Sequence, residues 1–254
     1  MTRLLVIVPF PMAEDQLALR RAQADRAGLP PDVTVEFRPV RVAPANYSSA
    51  HDSVLAEIGV IEAGRSAQAD GHDAVCIDTM SDSGVDALRA MLDIPVVGPG
   101  RTSMLTAAML GDRFSILMMW DRWRSLYAKP LAELGFAGRC ASMRDIGLAP
   151  NNRALLSGKE DTVFPRLLAE ARAAIDDDGA EAILLGSTTM HQAHGYLAER
   201  LEVPVIDPGP LSYRTALAML SLGLTHSRPA YPASLAPMPE MFAAMADAAR
   251  KGKS

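Results

Sequence analysis

Two stretches of this sequence decide the fold because they read alike: DAVCIDTMSDSGVDALRAMLDIPVVGPG (73–100) and EAILLGSTTMHQAHGYLAERLEVPVIDPG (181–209). Each begins with a short apolar run and passes through a polar turn into a stretch with helical periodicity. Each then ends on Pro-Val, a hydrophobic run and Pro-Gly. This order predicts a β-α-β unit with parallel strands. The start of the chain has a looser counterpart, because RLLVIVPF from Arg3 resembles RFSILMMW from Arg113.

The repeat predicts an α/β fold of two pseudo-symmetric lobes, each with a mostly parallel sheet flanked by helices, and an active-site cleft between the lobes. The two stretches begin at residues 73 and 181, and a repeat with this spacing is too long for a solenoid. We place the first lobe at 1–112 plus 213–254 and the second at 113–212. Any two β-α-β units share this outline, but the matching exits PVVGPG and PVIDPG favour a duplication.

Further elements follow from periodicity and turn residues. Helical spacing predicts helices over 52–69, 85–92 and 163–175. The polar stretch 148–166 is expected to form a loop that opens a helix, and the tail 234–254 to form Pro-rich turns before an amphipathic helix.

The composition argues against several classes of function. The chain is 49% hydrophobic and 22% charged, with a net charge of −5 and no basic patch interleaved with aromatic residues, so we expect no nucleic-acid partner. No apolar run is long enough to span a bilayer, and the N-terminus lacks a signal-peptide cleavage pattern. No Cys/His spacing resembles a metal site, and two cysteines do not indicate a disulfide framework, so we expect a cytoplasmic protein without a metal.

The polar turns within the repeat are the first candidates for a functional site. Under the repeat, Thr79 and Ser187 are equivalent, and each lies just past the end of a predicted strand. Ligands of open α/β sheets bind at the carboxyl ends of parallel strands. Two such turns would therefore present one hydroxyl each to the same small molecule.

Five stretches resemble the aspartate/glutamate racemase superfamily, and within it the hydantoin racemase branch. They are DTMSDSGVDALR (78–89), IPVVGPGRTSMLTAAMLGDRFSIL (94–117), GFAGRCASMR (135–144), AEAILLGSTTM (180–190) and VPVIDPG (203–209). The resemblance implies a cofactor-independent and metal-independent enzyme that moves a proton next to a carbonyl, or that decarboxylates or isomerises small diacids. It also implies a small-molecule carboxylate or cyclic amide as substrate, and a homo-oligomer.

The chain departs from this family at its reactive atoms. The family's chemistry usually rests on two cysteines, and those positions are Thr79 and Ser187 here. A hydroxyl has no ionised fraction comparable to that of a thiol near neutral pH, so two-thiol racemisation should not run on this chain. The two cysteines present, Cys76 and Cys140, are expected to be buried structural thiols.

Candidate catalytic residues are the polar groups near the two turns: Thr79, Ser187, Asp82, His51 and His191. Asp82 matches an aspartate of the family's turn, although it could instead cap the following helix. His191 follows Ser187 by four residues and would share its side of a helix, and His51 lies near a family substrate loop. Either histidine could equally be structural or solvent-facing.

Candidate substrate-binding residues line the same turns and the turns after the first strand of each lobe. They are Pro9, Phe10, Ser49, Met80, Ser81, Trp120, Thr188 and Thr189. Phe10 and Trp120 predict a more apolar or aromatic pocket than in an amino-acid racemase, unless both are core residues.

Three hypotheses about function follow. The first is a cofactor-independent isomerase or decarboxylase-type enzyme that uses a group other than a thiol for proton transfer. The second is a ring-opening amide hydrolase with Ser187 or Thr79 as nucleophile, although LGSTT lacks a complete G-x-S-x-G elbow. The third is a catalytically silent protein that binds a small molecule.

Overall fold

A computed structural model describes residues 1–149 and 162–251. Its strands are β1 Thr2–Val8, β2 Val33–Pro39, β3 Ala74–Ile77, β4 Val96–Val97, β5 Phe114–Met118, β6 Cys140–Asp145, β7 Ala182–Leu185 and β8 Val205–Ile206. Its α-helices are α1 Glu14–Arg26, α2 Ala50–Gly64, α3 Val85–Met91, α4 Pro99–Leu110, α5 Arg124–Glu133, α6 Val163–Asp176, α7 His194–Ala198, α8 Pro208–Ser221 and α9 Pro239–Lys251. Short 3₁₀ helices cover Asp121–Trp123 and Thr188–Ala193.

Contacts divide the chain into two compact units, Met1–Gly98 with Ser212–Ser254, and Pro99–Leu211. The first unit contains a parallel four-stranded sheet with the order β2-β1-β3-β4. Alternate residues of β1 face opposite sides, because side chains of a strand alternate. Leu5 and Ile7 pack with α2 and α3, whereas Leu4 and Val6 pack with α1 and α8. Burial on both faces explains why β1 is continuously apolar.

The second unit has the same plan. Its sheet has the order β6-β5-β7-β8, and all neighbouring strands are again parallel. The shared order and direction confirm the predicted α/β fold of two parallel sheets flanked by helices. α4 packs against β7 and belongs to this unit, whereas the predicted boundary at residue 112 placed it in the first lobe.

Several predicted elements differ in length from the structure. The helix predicted over 52–69 is α2, which begins at Ala50 because Ser49 caps it and ends at Gly64. The runs IPVVG and VPVID contribute only the two-residue strands β4 and β8. Residues 150–161, most of the loop predicted over 148–166, lie outside the described residues, and α6 begins at Val163. The helix predicted in the tail is α9.

Within residues 1–149 and 162–251, every helix is too short or too polar to cross a bilayer.

Candidate active-site turns

The turn after β3, in the first unit, is one candidate site. Thr79 follows the strand by two residues, and its Oγ1 lies 3.2 Å from Ser81 Oγ. Ser81 Oγ in turn lies 2.7 Å from Ser83 Oγ, and Ser83 is buried. Three hydroxyls are thus linked from a partly exposed threonine to a buried serine. Such a chain can orient the Thr79 hydroxyl and transmit polarisation along it.

Asp82 is the outlier of this turn. Its φ of 51° is the only positive φ of a non-glycine residue in the described part of the chain. Its carboxylate packs against Gly98, where a Cβ would lie 2.4 Å from Asp82 Cγ. The N-cap of α3 is Gly84, so the alternative that Asp82 caps this helix is wrong. Strained backbone of this kind occurs at functional sites.

The turn after β7, in the second unit, is the other candidate site. Ser187 is the N-cap of the 3₁₀ helix Thr188–Ala193, and its Oγ accepts a hydrogen bond from the Thr189 amide at 3.2 Å. Ser187 Oγ also lies 2.7 Å from Thr189 Oγ1. Ser187 is partly exposed, whereas Thr188 and Thr189 are buried. The reachable hydroxyl of this turn is therefore that of Ser187, with Thr189 oriented towards it.

Buried polar side chains lie beneath both turns, and sequence reasoning missed them. In the first unit Arg20 of α1 forms an ion pair with Asp78, with Arg20 Nε 2.9 Å from Asp78 Oδ2. In the second unit the hydroxyl of Tyr127, on α5, donates to the carbonyl of Gly186. The signal for Arg20 was the three-residue spacing of Leu17, Arg20 and Gln23, all of which are buried on one face of α1.

The histidines take different positions. His51 is the second residue of α2, its side chain is 79% exposed, and it lies 3.6 Å from Asp52. His191 is only 2% exposed and lies inside the 3₁₀ helix, so the predicted α-helical register with Ser187 does not apply. Nε2 of His194 lies 3.0 Å from the Val205 carbonyl, which ties α7 to β8.

Ser49, a candidate for substrate binding, caps the start of α2. Its Oγ accepts from the Asp52 amide at 3.2 Å, and the Asp52 carboxylate accepts from the Ser48 amide at 3.0 Å. This arrangement is a variant of the capping box, because the carboxylate binds the amide of the residue before the cap. The Ser49 hydroxyl is thus already engaged by the helix.

The two candidate aromatic residues are partly exposed, which argues against the core alternative. Phe10 stacks on Tyr47 with ring centroids 5.0 Å apart, and Tyr47 donates to the carbonyl of buried Pro9 at 3.1 Å. The guanidinium carbon of Arg122 lies 5.3 Å from the centroid of the Trp120 ring. Met80, by contrast, is 2% exposed.

The two cysteines are poor candidates for catalysis. Cys76 lies in β3 and burial raises its pKa to about 12. Cys140 begins β6 and is only partly buried, contrary to the expectation of a buried thiol, yet desolvation raises its pKa to about 11. Neither side chain is appreciably a thiolate near neutral pH. Among the described residues, no group of three or more His, Cys, Asp or Glu side chains could hold a metal ion.

The fold and the two hydroxyl-bearing turns define a class: a duplicated α/β protein whose candidate reactive groups lie at the carboxyl ends of β3 and β7. Residues 18–216 match the Asp/Glu/hydantoin racemase family, and the chain belongs to that family.

Individual relatives are similar over most of the chain. A hydantoin racemase of Pseudomonas sp. (strain NS671) is 32% identical over 190 residues, which is 74% of each chain. The structure of an allantoin racemase from Klebsiella pneumoniae has a TM-score of 0.84 and 26% identity, covering 94% of this chain and 96% of its own. A structure of arylmalonate decarboxylase, 23% identical with a TM-score of 0.62 over 90% of this chain and 96% of its own, shares the fold.

Proposed function

We propose that this protein is a cofactor-independent enzyme that moves a proton at a carbon next to the carbonyl of a small cyclic amide or carboxylate, without using a thiol. The observation that carries the proposal is the turn after β3. There a strained Asp82 adjoins a chain of hydroxyls that begins at Thr79, the position where the family resemblance places a cysteine.

Each group has a role suited to its chemistry. Asp82 removes the proton as its carboxylate becomes a carboxylic acid, and the electrons of the C–H bond move onto the carbonyl to give an enolate. Thr79 donates a hydrogen bond to the substrate oxygen where negative charge develops, and Ser187 is the corresponding hydroxyl donor of the second unit. The proton then returns to the same carbon from Asp82 or from solvent. Hydroxyls suit this donor role because they are weak bases.

Hydantoin-type rings are the substrate class we favour. The relatives named above include a hydantoin racemase and an allantoin racemase, and a hydantoin ring is flat with carbonyl groups beside the carbon that bears the proton. The partly exposed Phe10 and Trp120 would suit a flat ring or an aromatic substituent. Small carboxylates stay within the proposal because hydroxyl donors bind carboxylate oxygens equally well.

The choice of Asp82 over the histidines follows from their surroundings. His51 is mostly exposed at the start of α2, and His191 is buried within the 3₁₀ helix. The hydrolase alternative has no supporting observation, because the hydroxyl partner seen at Ser187 is Thr189 and no relative described above is a hydrolase.

Proton NMR in D2O tests the proposal, using hydantoins, arylmalonates, diacids and small cyclic amides. We expect deuterium to enter the carbon next to the carbonyl of at least one compound. Asp82→Asn should slow that exchange by about 10²- to 10⁴-fold, the usual contribution of a general base. The matched control is Asp86→Asn, whose side chain is 57% exposed on the next helix and whose loss should leave exchange unchanged.

Other outcomes would replace the proposal. Ring opening that Ser187→Ala abolishes would indicate the hydrolase. Exchange that survives Asp82→Asn and is lost in His51→Ala or His191→Gln would move the base to a histidine. Thermal stabilisation by a compound that the protein does not convert would indicate a binding protein.

A further inference from the structure

The residue before each reactive-position hydroxyl is held at both its amide and its carbonyl. The amide of Asp78 donates to the Ile7 carbonyl at 2.9 Å, and the amide of Gly186 donates to the Leu117 carbonyl at 2.7 Å. The strand ladders therefore fix the nitrogen of the residue before Thr79 and before Ser187. The carbonyl of that same residue lies past the strand and needs another partner.

A buried side chain supplies that partner in each unit. In the second unit it is the Tyr127 hydroxyl, which donates to the Gly186 carbonyl. In the first unit Nη2 of Arg20 lies 3.4 Å from the Asp78 carbonyl, while the shorter contact of Arg20 is its ion pair with the Asp78 side chain. Gln23 adds a donor 3.5 Å from the same carboxylate. Both donors come from the helix that follows the central strand, α1 after β1 and α5 after β5.

The two units reach the same result with different residues. Gly186 has no room for a side chain, because a Cβ there would lie 2.5 Å from the Leu117 carbonyl oxygen and 2.9 Å from the Tyr127 hydroxyl. At the equivalent place the first unit has Asp78, whose carboxylate is accommodated by Arg20. Two unlike solutions at one position of the repeat point to a shared requirement for a fixed carbonyl.

A fixed carbonyl also fixes the hydroxyl-bearing residue. A peptide group is planar, so the carbonyl of Gly186 and the amide of Ser187 turn as one body. Rotation of that plane would redirect the amide of Ser187 and move its Cβ and hydroxyl. Displacement of a catalytic group by about 1 Å can slow a reaction about 100-fold.

We propose that Tyr127 and Arg20 are positioning residues: each holds the peptide that aims the hydroxyl of Ser187 or Thr79. Tyr127 is 0% exposed and Arg20 2% exposed, so neither touches substrate. Burial raises the pKa of Tyr127 well above its usual value, so its hydroxyl keeps the proton that it donates. The inference rests on the proposed function only because that function gives the hydroxyls of Thr79 and Ser187 a role.

The sharpest variant is Tyr127→Phe, which removes one oxygen and keeps the ring. We expect kcat for deuterium exchange to fall about 10-fold or more while KM changes less than about 3-fold. In a Ser187→Ala background the same substitution should have little further effect, because a residue that acts through Ser187 has nothing left to position. A purely structural role would instead give additive losses.

A matched control separates positioning from loss of stability. His72 is also buried, and its ring lies 3.1 Å from the Ala67 carbonyl and 3.0 Å from Glu36, ahead of the amino end of β3. His72→Phe should lower the unfolding temperature as Tyr127→Phe does and leave kcat unchanged. Equal losses of kcat in both variants would overturn the proposal.

A crystal structure of the Tyr127→Phe variant decides the inference even if the wild-type protein converts no compound and the proposed function fails. We expect the Gly186–Ser187 peptide to rotate and the Ser187 hydroxyl to move by about 0.5 Å or more, beyond the tolerance of a preorganised site. An unmoved peptide would overturn the positioning role whatever the activity. Arg20→Met, analysed in the same way at Thr79, tests the first unit.

Discussion

Asp82 combines two features that a solvated surface aspartate does not need. Its backbone is left-handed, a conformation that costs of order 1–3 kcal/mol and that Asp tolerates better than most residues. Its carboxylate is packed against the backbone at the end of β4. The turn therefore holds this side chain in one direction at some expense of stability.

The first prediction tests that packing. Gly98→Ala would place a Cβ 2.4–2.7 Å from the Asp82 carboxyl atoms, so the carboxylate must move. We expect the free energy of unfolding to fall by about 1–3 kcal/mol, as for other overpacked sites, and deuterium exchange to slow. Urea unfolding and NMR measure the two effects.

Gly138→Ala is the control for this prediction, because a Cβ there meets nothing within 4 Å. It should leave stability within about 1 kcal/mol of the wild type and exchange unchanged. If Gly98→Ala behaves like this control, the packing of Asp82 has no part in the function.

Among the elements, α2 shows most clearly how local sequence sets a boundary. Hydrogen bonds from the Ser48 amide, the Ser48 hydroxyl and Ser49 lower the pKa of Asp52 to about 2. A carboxyl group whose pKa is depressed on folding stabilises the folded state above its unfolded pKa. That stabilisation is lost as the pH falls through the folded pKa.

The second prediction is a pH dependence of this helix start. Asp52→Asn should lower the unfolding temperature at pH 7, and its difference from the wild type should shrink between about pH 4 and pH 2 and vanish below. Circular dichroism melts across this range measure it. Glu240→Gln, which removes an exposed acid at the start of α9, is the comparison. A difference that persists undiminished at pH 2 would contradict the capping role.

Elements also show how far the sequence alone reaches. The repeat was sufficient to predict the two sheets and to place Thr79 and Ser187 past strand ends, because apolar runs and turn residues are local signals. Arg20 was missed because a charged residue in a polar helix looks solvated, and only the tertiary fold turns it towards β3. The left-handed backbone of Asp82 was hidden as well, since the nearby Gly84 is the more obvious site for positive φ.

At the scale of the whole molecule, the two units have the same strand order. They differ in the buried residues beneath their turns, which are Arg20 in the first unit and Tyr127 in the second. The family is established by sequence and fold, whereas the reaction stays a proposal. Assembly into a homo-oligomer and a cytoplasmic location, both expected from the sequence, stay predictions. Light scattering of the purified protein checks the first of them.

The third prediction places a thiol at each of the two turns. In the double variant Thr79→Cys with Ser187→Cys, both turns would carry thiols that can ionise near neutral pH. We expect racemisation of a hydantoin that iodoacetamide abolishes, whereas the wild-type protein should be insensitive, because burial raises the pKa of Cys76 to about 12 and that of Cys140 to about 11. Polarimetry follows the reaction. A folded double variant with no racemase activity would show that thiols at these two positions are not sufficient for racemisation.

The buried residues Arg20 and Tyr127 beneath the turns have a consequence for evolvability. Because Arg20 and Tyr127 bind main-chain or neighbouring atoms, the side chains at 79 and 187 can change while the backbone that carries them stays in place. A combinatorial library at these two positions should therefore yield mostly folded proteins. Selection could then explore thiol, hydroxyl and carboxylate chemistries on one scaffold, and the present Thr-Ser pair would be one sampled solution among several.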